Sequence, residues 1–136
     1  MIRYAVIDTN VLISALLSKH DDSATVLVVD KIFSGEVIPV LSEPILREYQ
    51  DVLRRKKFRF SDEQTDVLLQ VICKYGEVII PDASDEILPD AKDLPFYEVV
   101  ISTQDIGTHL VTGNMKHFPK EPFIVTPSQF LEILQQ

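Results

Sequence analysis

Three carboxylates far apart in the chain, Asp8, Glu48 and Asp93, each stand where a polar group meets an apolar stretch. Asp8 follows the apolar run Ile2 to Ile7 and heads the triplet Asp8-Thr9-Asn10, after which apolar residues resume. Two readings fit it. An Asp between a strand and a helix caps the helix or closes an Asx-turn. A carboxylate at a strand end also suits a hard divalent cation, which takes oxygen ligands, usually one or two carboxylates plus waters. Glu48 sits beside Leu46 and Tyr49, next to the apolar face of a helix; the plain reading of such a Glu is a surface residue. Asp93 precedes Leu94-Pro95, where an N-cap is expected. One residue can cap a helix and present a carboxylate together. Asp90 and Glu98 flank the same junction, in a segment whose acids are ordinarily solvated.

The elements that must position these groups are short and alternate in type. Ile2 to Ile7 reads as a strand and Val11 to Leu17 as a helix, with Thr9 or Asn10 available to cap it. Asp21-Asp22-Ser23 opens a helix to about Phe33, closed by Gly35. Val37 to Leu41 is a strand whose Pro39 lacks the ladder N–H, so an edge or interrupted strand is expected. Ser42-Glu43-Pro44 starts a helix with Ile45, Leu46, Tyr49, Val52 and Leu53 at helical spacing. Ser61-Asp62-Glu63 starts another, with Val67, Leu68, Val71, Ile72 and Tyr75 as its apolar face and Cys73 in the core. Val78 to Ile80 reads as a short buried strand and Pro81 to Pro95 as loop. Phe96 to Ser102 is a helix, His109 to Thr112 a strand, Phe123 to Val125 a strand, and Thr126-Pro127 opens the last helix. Strands alternating with amphipathic helices predict a parallel sheet covered on both faces. Ligands of such folds bind beyond the carboxyl ends of the strands, where Asp8 and Thr112-Gly113-Asn114 both fall.

The 136 residues suit one domain, spanning 1–136, with a core that needs no disulfides. A single cysteine excludes a disulfide framework and a Cys-based zinc site, and with no spanning apolar run and no signal peptide a cytoplasmic location is expected. A net charge of -8 argues against a protein that coats nucleic acid through a broad basic face. It is compatible with an enzyme that gathers carboxylates into a metal pocket. The positive charge is clustered in Arg54, Arg55, Lys56, Lys57 and Arg59. That run either ends a helix, where cations favour the dipole, or binds RNA phosphates, with Phe58 and Phe60 available for stacking. His109 and His117 lack the close helical spacing and Cys partners of a zinc site.

Four segments in order resemble the PIN-domain family of metal-dependent ribonucleases: VIDTNVLIS, LSEPILREYQDVL, LPDAKDLPFYEVVIS and HLVTGNMKHFP. The likeness runs from about Ile2 to Phe130 and is nearest to the toxins of prokaryotic toxin–antitoxin pairs. It implies a three-layer α/β/α sandwich around a mainly parallel five-stranded sheet. It implies hydrolysis of phosphodiester bonds in single-stranded RNA with Mg2+ or Mn2+ held by Asp8, Glu48 and Asp93. Thr9, Asn10, Thr112 and Asn114 are then the residues that orient these acids, with Asp90 and Glu98 as additional acids. An RNA substrate, a cognate antitoxin and a homodimer are the partners the resemblance implies. One departure stands out. Many relatives carry a fourth acid at the position of Asn114 or three residues later, where this chain has His117. A weak or inactive RNA- or protein-binding module is therefore the alternative. A receiver-like regulatory domain, which also gathers acids at strand ends, fits the motif order less well and lacks a suitable Lys near the last strand.

Overall fold

The computed structural model describes residues 2–136. Five strands form one all-parallel sheet in the order β3-β2-β1-β4-β5: β1 (Arg3–Ile7), β2 (Val37–Leu41), β3 (Glu77–Val78), β4 (His109–Val111) and β5 (Ile124–Val125). Among the described residues six α-helices surround it: α1 (Thr9–Leu17), α2 (Ala24–Ser34), α3 (Glu43–Leu53), α4 (Asp62–Tyr75), α5 (Leu94–Ser102) and α6 (Pro127–Leu134). Helix α2 packs on α1, α6 and β2, while α5 packs on β1, β2, β4 and α3. This is a three-layer α/β/α sandwich.

The three inner strands are apolar and buried toward their carboxyl ends. Ala5, Val6 and Ile7 are buried, as are Val40 and Leu41 of β2 and Leu110 and Val111 of β4. Such continuous burial is what a sheet covered on both faces demands. From β1 the chain moves outward through β2 and β3, then returns to place β4 on the other side of β1. The strand order therefore reverses between β1 and β4, and the carboxyl ends of these two strands flank the switch point where ligands bind in open α/β sheets. The register carries on past the strand ends: Asp8 N–H donates to Val111 O at 3.0 Å and Thr112 N–H to Val125 O at 2.9 Å.

Local signals explain most helix ends. Ser61 and Gln64 form a reciprocal capping box on α4, and Thr126 and Gln129 do so on α6. Gly35 ends α2 in the left-handed region at φ 85°. Gly76 has another reason to lack a side chain: a Cβ there would lie 2.3 Å from the Ile72 carbonyl oxygen.

Several expectations from the sequence are corrected. Strand β2 is internal, not an edge. Pro39 is tolerated because it pairs with Ala5 on the β1 side, while β3 joins β2 only from Val40 onward. The buried strand expected at Val78 to Ile80 is the exposed two-residue edge β3; Ile79 N–H still reaches Leu41 O at 2.8 Å, but Ile80 is 98% exposed. The inner face of α4 is Thr65, Leu68, Leu69 and Ile72, with Val67 and Tyr75 exposed. Cys73 is exposed and free. Among the described residues no helix is long and apolar enough to cross a membrane.

Candidate active site

At the switch point a cleft of about 260 Å³ is lined by Asp8, Thr9, Asn10, Glu48, Asp90 and Asp93, together with Arg55, Lys57, Phe58 and Lys92. Ile13 and Val52 add apolar surface to its lining. A larger, mostly apolar depression of about 630 Å³ lies on the β4–β5 connection at Met115, Phe118, Pro119 and Pro122, and none of the three principal acids borders it. Chemistry, not size, marks the smaller cleft.

Asp8 and Asp93 both occupy N-cap positions, of α1 and α5, yet neither makes a side-chain cap hydrogen bond. Asp8 instead accepts a hydrogen bond at Oδ2 from the Thr112 hydroxyl, 2.7 Å away on the neighbouring strand. Asp93 accepts at Oδ2 from the His117 Nδ1, 3.0 Å away. Asp90 does what a cap does, accepting from Lys92 N–H at 2.9 Å. By hydrogen-bond geometry the capping reading describes Asp90, while Asp8 and Asp93 spend an oxygen on a distant side chain.

Glu48 reaches the cleft from α3, and the Thr9 hydroxyl donates to its Oε2. The next residue fixes the helix: the buried Tyr49 hydroxyl donates to the Ile7 carbonyl, tying α3 to the end of β1 one residue before Asp8. The three acids thus share one pattern. One oxygen of each carboxylate is held by a hydroxyl or imidazole from a distant part of the chain. The other oxygen, Oδ1 of Asp8 and Asp93 and Oε1 of Glu48, makes no side-chain hydrogen bond among the described residues.

Electrostatics reinforce the pattern. Burial raises the Asp8 carboxyl above the ordinary Asp value, against the Thr112 hydrogen bond, the N–H groups of Asn10 and Thr9 and the nearby His117, all of which favour the anion. Burial also raises Glu48, helped by the charges of Asp8 and Asp93 and opposed by Thr9 and Arg55. Asp93 is raised by burial and by Asp8, and held back by His117. Desolvated carboxylates that repel one another are the environment a cation relieves.

Not every candidate converges. Glu98 is turned away: its Oε2 accepts from Ser84 N–H at 2.7 Å and so braces the irregular segment between β3 and α5. Asn114 borders neighbouring depressions and not the acidic cleft, and its contribution is its backbone N–H, which donates to the Thr112 hydroxyl at 3.0 Å. That hydroxyl in turn holds Asp8. In the basic run, Arg54 pairs with Asp66 at 3.1 Å and Arg55 with Asp51 at 3.0 Å, and only Arg55 and Lys57 line the cleft. His109 packs against Phe130, remote from His117 in role. The sequence reading missed the Asp93–His117 pair, Lys92 and the positioning hydroxyl of Tyr49. The one available signal was His117 itself, standing three residues after Asn114.

The donor set fits a hard divalent cation: every principal group is a carboxylate oxygen, and each carboxylate has one oxygen without a side-chain partner among the described residues. Among the described residues no three acidic, histidine or cysteine side chains already close around a common point. Mg2+ is commonly held by one or two carboxylates with the remaining positions filled by water, so the arrangement meets that lesser requirement. A family model described as PIN domain matches residues 4–116. No curated protein and no solved structure matches the chain.

Proposed function

Because the chain belongs to the PIN-domain family, whose members are generally nucleases that use divalent metal ions, we propose that it is a Mg2+- or Mn2+-dependent endoribonuclease acting on single-stranded RNA. The observation that carries this reading is the switch-point cleft, which Asp8, Glu48 and Asp93 from three different elements all line, each with one oxygen held by a side chain and the other without a side-chain partner among the described residues. These three residues would hold the ion, directly or through water. When bound, a divalent cation supplies Lewis acidity toward the phosphodiester and lowers the pKa of a water at the site.

The chain's own groups do the rest. Thr112 and Thr9 fix the rotamers of Asp8 and Glu48. Asn10 and Thr9 offer backbone N–H groups that favour the Asp8 anion against the effect of burial. Arg55, Lys57 and Lys92 set positive charge along the same cleft, against the acids that would otherwise repel a polyanion. We further propose that the protein is the toxin of a toxin–antitoxin pair, works as a homodimer in the cytoplasm, and is restrained by an antitoxin that presents a basic side chain to the acidic cleft.

A second reading is a PIN-like module that binds RNA or protein with little or no catalysis. The neutral Asn114 and the engagement of Asp93 by His117 favour it. Incubation of the purified protein with single-stranded RNA, with and without Mg2+ or Mn2+, decides between them. Cleavage that needs the metal and is lost in Asp8→Asn supports the nuclease. Cleavage that persists in the variant and in chelator sinks it. Mn2+ titration by calorimetry with no heat at millimolar metal selects the silent module.

A further inference from the structure

We infer that the short 3-10 turn Lys56–Phe58 and the residues after it form a nucleotide subsite at the edge of the acidic cleft, in which the Phe58–Phe60 ring pair receives an unpaired base and Lys57 the phosphate beside it. The inference rests on the nuclease reading above and adds where the substrate lies and what selects it.

Three observations converge on this turn. First, Lys57 and Phe58 line the same cleft as Asp8, Glu48 and Asp93. Second, the rings of Phe58 and Phe60 lie face to face, 5.5 Å between centroids and 9° apart in plane, and neither is fully buried. The backbone is bent to bring them together. Arg59 between them sits in the left-handed region at φ 58°, the one non-glycine residue to do so among the described residues. A non-glycine residue held there costs on the order of 1 kcal/mol and persists where its surroundings demand it. Third, the cations of this segment are unequal. Arg54 and Arg55 are paired to Asp66 and Asp51, whereas Lys56, Lys57 and Arg59 make no ion pair among the described residues, and of these three only Lys57 lines the cleft. Its ammonium rests over the Phe58 ring, 5.0 Å from the centroid. An exposed cation–π contact is worth only about 0.5–1 kcal/mol, so the ammonium is readily drawn to a phosphate and uncovers the ring as it leaves.

The chemistry of the cleft requires such a place. A phosphodiester brought toward three carboxylates meets repulsion, and a free ammonium on the same cleft offsets it. Base–aromatic stacking accepts any base but only an unstacked one. The subsite therefore recognises single-stranded nucleic acid by its disorder and not by its sequence, while a duplex, whose bases are stacked internally, gains nothing from the rings.

Binding of a labelled single-stranded RNA, followed by anisotropy in chelator at low salt, tests this without turnover. Phe58→Leu should weaken binding by about tenfold and Phe58→Tyr should restore it. Lys57→Gln should reduce the slope of log affinity against log salt by about 0.7. Arg54→Gln should leave both unchanged. Wild type should prefer the single strand over its duplex, and Phe58→Leu should lose that preference. Lys57→Gln is a surface change and decides the matter if Phe58→Leu melts early. Wild-type affinity and salt slope in both Lys57→Gln and Phe58→Leu overturn the subsite; if Asp8→Asn still abolishes metal-dependent cleavage, the nuclease reading survives that failure. No binding and no cleavage by the wild type overturn both.

Discussion

Asp8 is only 4% exposed and is an anion placed against its own solvation. Its carboxyl is raised by burial in spite of the Thr112 bond, so the folded chain binds a proton there more tightly than the unfolded chain does. The contribution of this group to stability is then fully present below the ordinary Asp value of about 3.9 and is lost as pH rises through the raised value. Asn at this position keeps an acceptor for the Thr112 hydroxyl and removes the charge. The Asp8→Asn variant should therefore melt higher than wild type at pH 7.5 in the absence of metal, and the gap should close as the buffer is taken down toward pH 4. A shift of about 1 kcal/mol would move the midpoint by roughly 4 °C in a domain of this size. Calorimetric scans of both proteins across that range check it; a variant less stable than wild type at pH 7.5 would show that the carboxylate is structural after all. Stability given up for a charge at the proposed metal position would be the usual compromise of a functional site.

At the scale of elements, the site depends on how α3 is set against β1. The Tyr49 hydroxyl and the Ile7 carbonyl make that connection inside the core. Tyr49→Phe leaves the carbonyl without this partner and should cost about 1–3 kcal/mol, read as a lower denaturant midpoint with an unchanged slope. Since Glu48 rides on the same helix, the variant should also bind Mn2+ more weakly. Gly76→Ala should be worse for the fold, because the added methyl would meet the Ile72 carbonyl at 2.3 Å with only backbone to move, and urea titration should show a lower midpoint with no change in metal affinity per folded molecule. These elements also mark what could be read in the sequence. The strand-end acids, the capped helices and the order of strands and helices are local patterns, and they were legible. The inner face of α4 was not: Val67 and Tyr75 continue a plausible helical stripe, but the stripe that packs is one step round, through Thr65 and Leu69. Val78 to Ile80 reads as buried because three apolar residues look alike in a central strand and at an edge. Glu98 and Asp93 are five residues apart, yet one braces a loop and the other faces the cleft, a difference set by where Ser84 and His117 happen to fall.

For the whole molecule, the charge of -8 and the gathered acids make metal and stability one problem. A cation that binds only the folded cleft should stabilise it by about 2.7 kcal/mol at a hundred times its dissociation constant. Mn2+ should thus raise the melting midpoint of wild type, chelator should return it, and Asp8→Asn should not respond. Because ligation needs all the participating carboxyls ionised, Mn2+ affinity should climb with pH through the raised values of Asp8, Glu48 and Asp93, opposite in sense to the metal-free stability of these same groups. Isothermal titrations at two pH values test the sign; an affinity that falls with pH would remove these acids from the ion.

The bond between Asp8 and Thr112 spans 104 positions of the chain. Domains are made from the N-terminus onward and complete their long-range pairings late. A nascent chain still on the ribosome has synthesised Asp8, Glu48 and Asp93 well before the strand that aligns the first of them, and Ala5 to Ile7 wait with one side unpaired until β4 emerges. A messenger that is truncated, or a translation that stalls before this point, yields a fragment with Asp8, Glu48 and Asp93 but without the Thr112 that aligns the first of them. If the finished protein cuts RNA, its half-made forms cannot attack the template they are being read from.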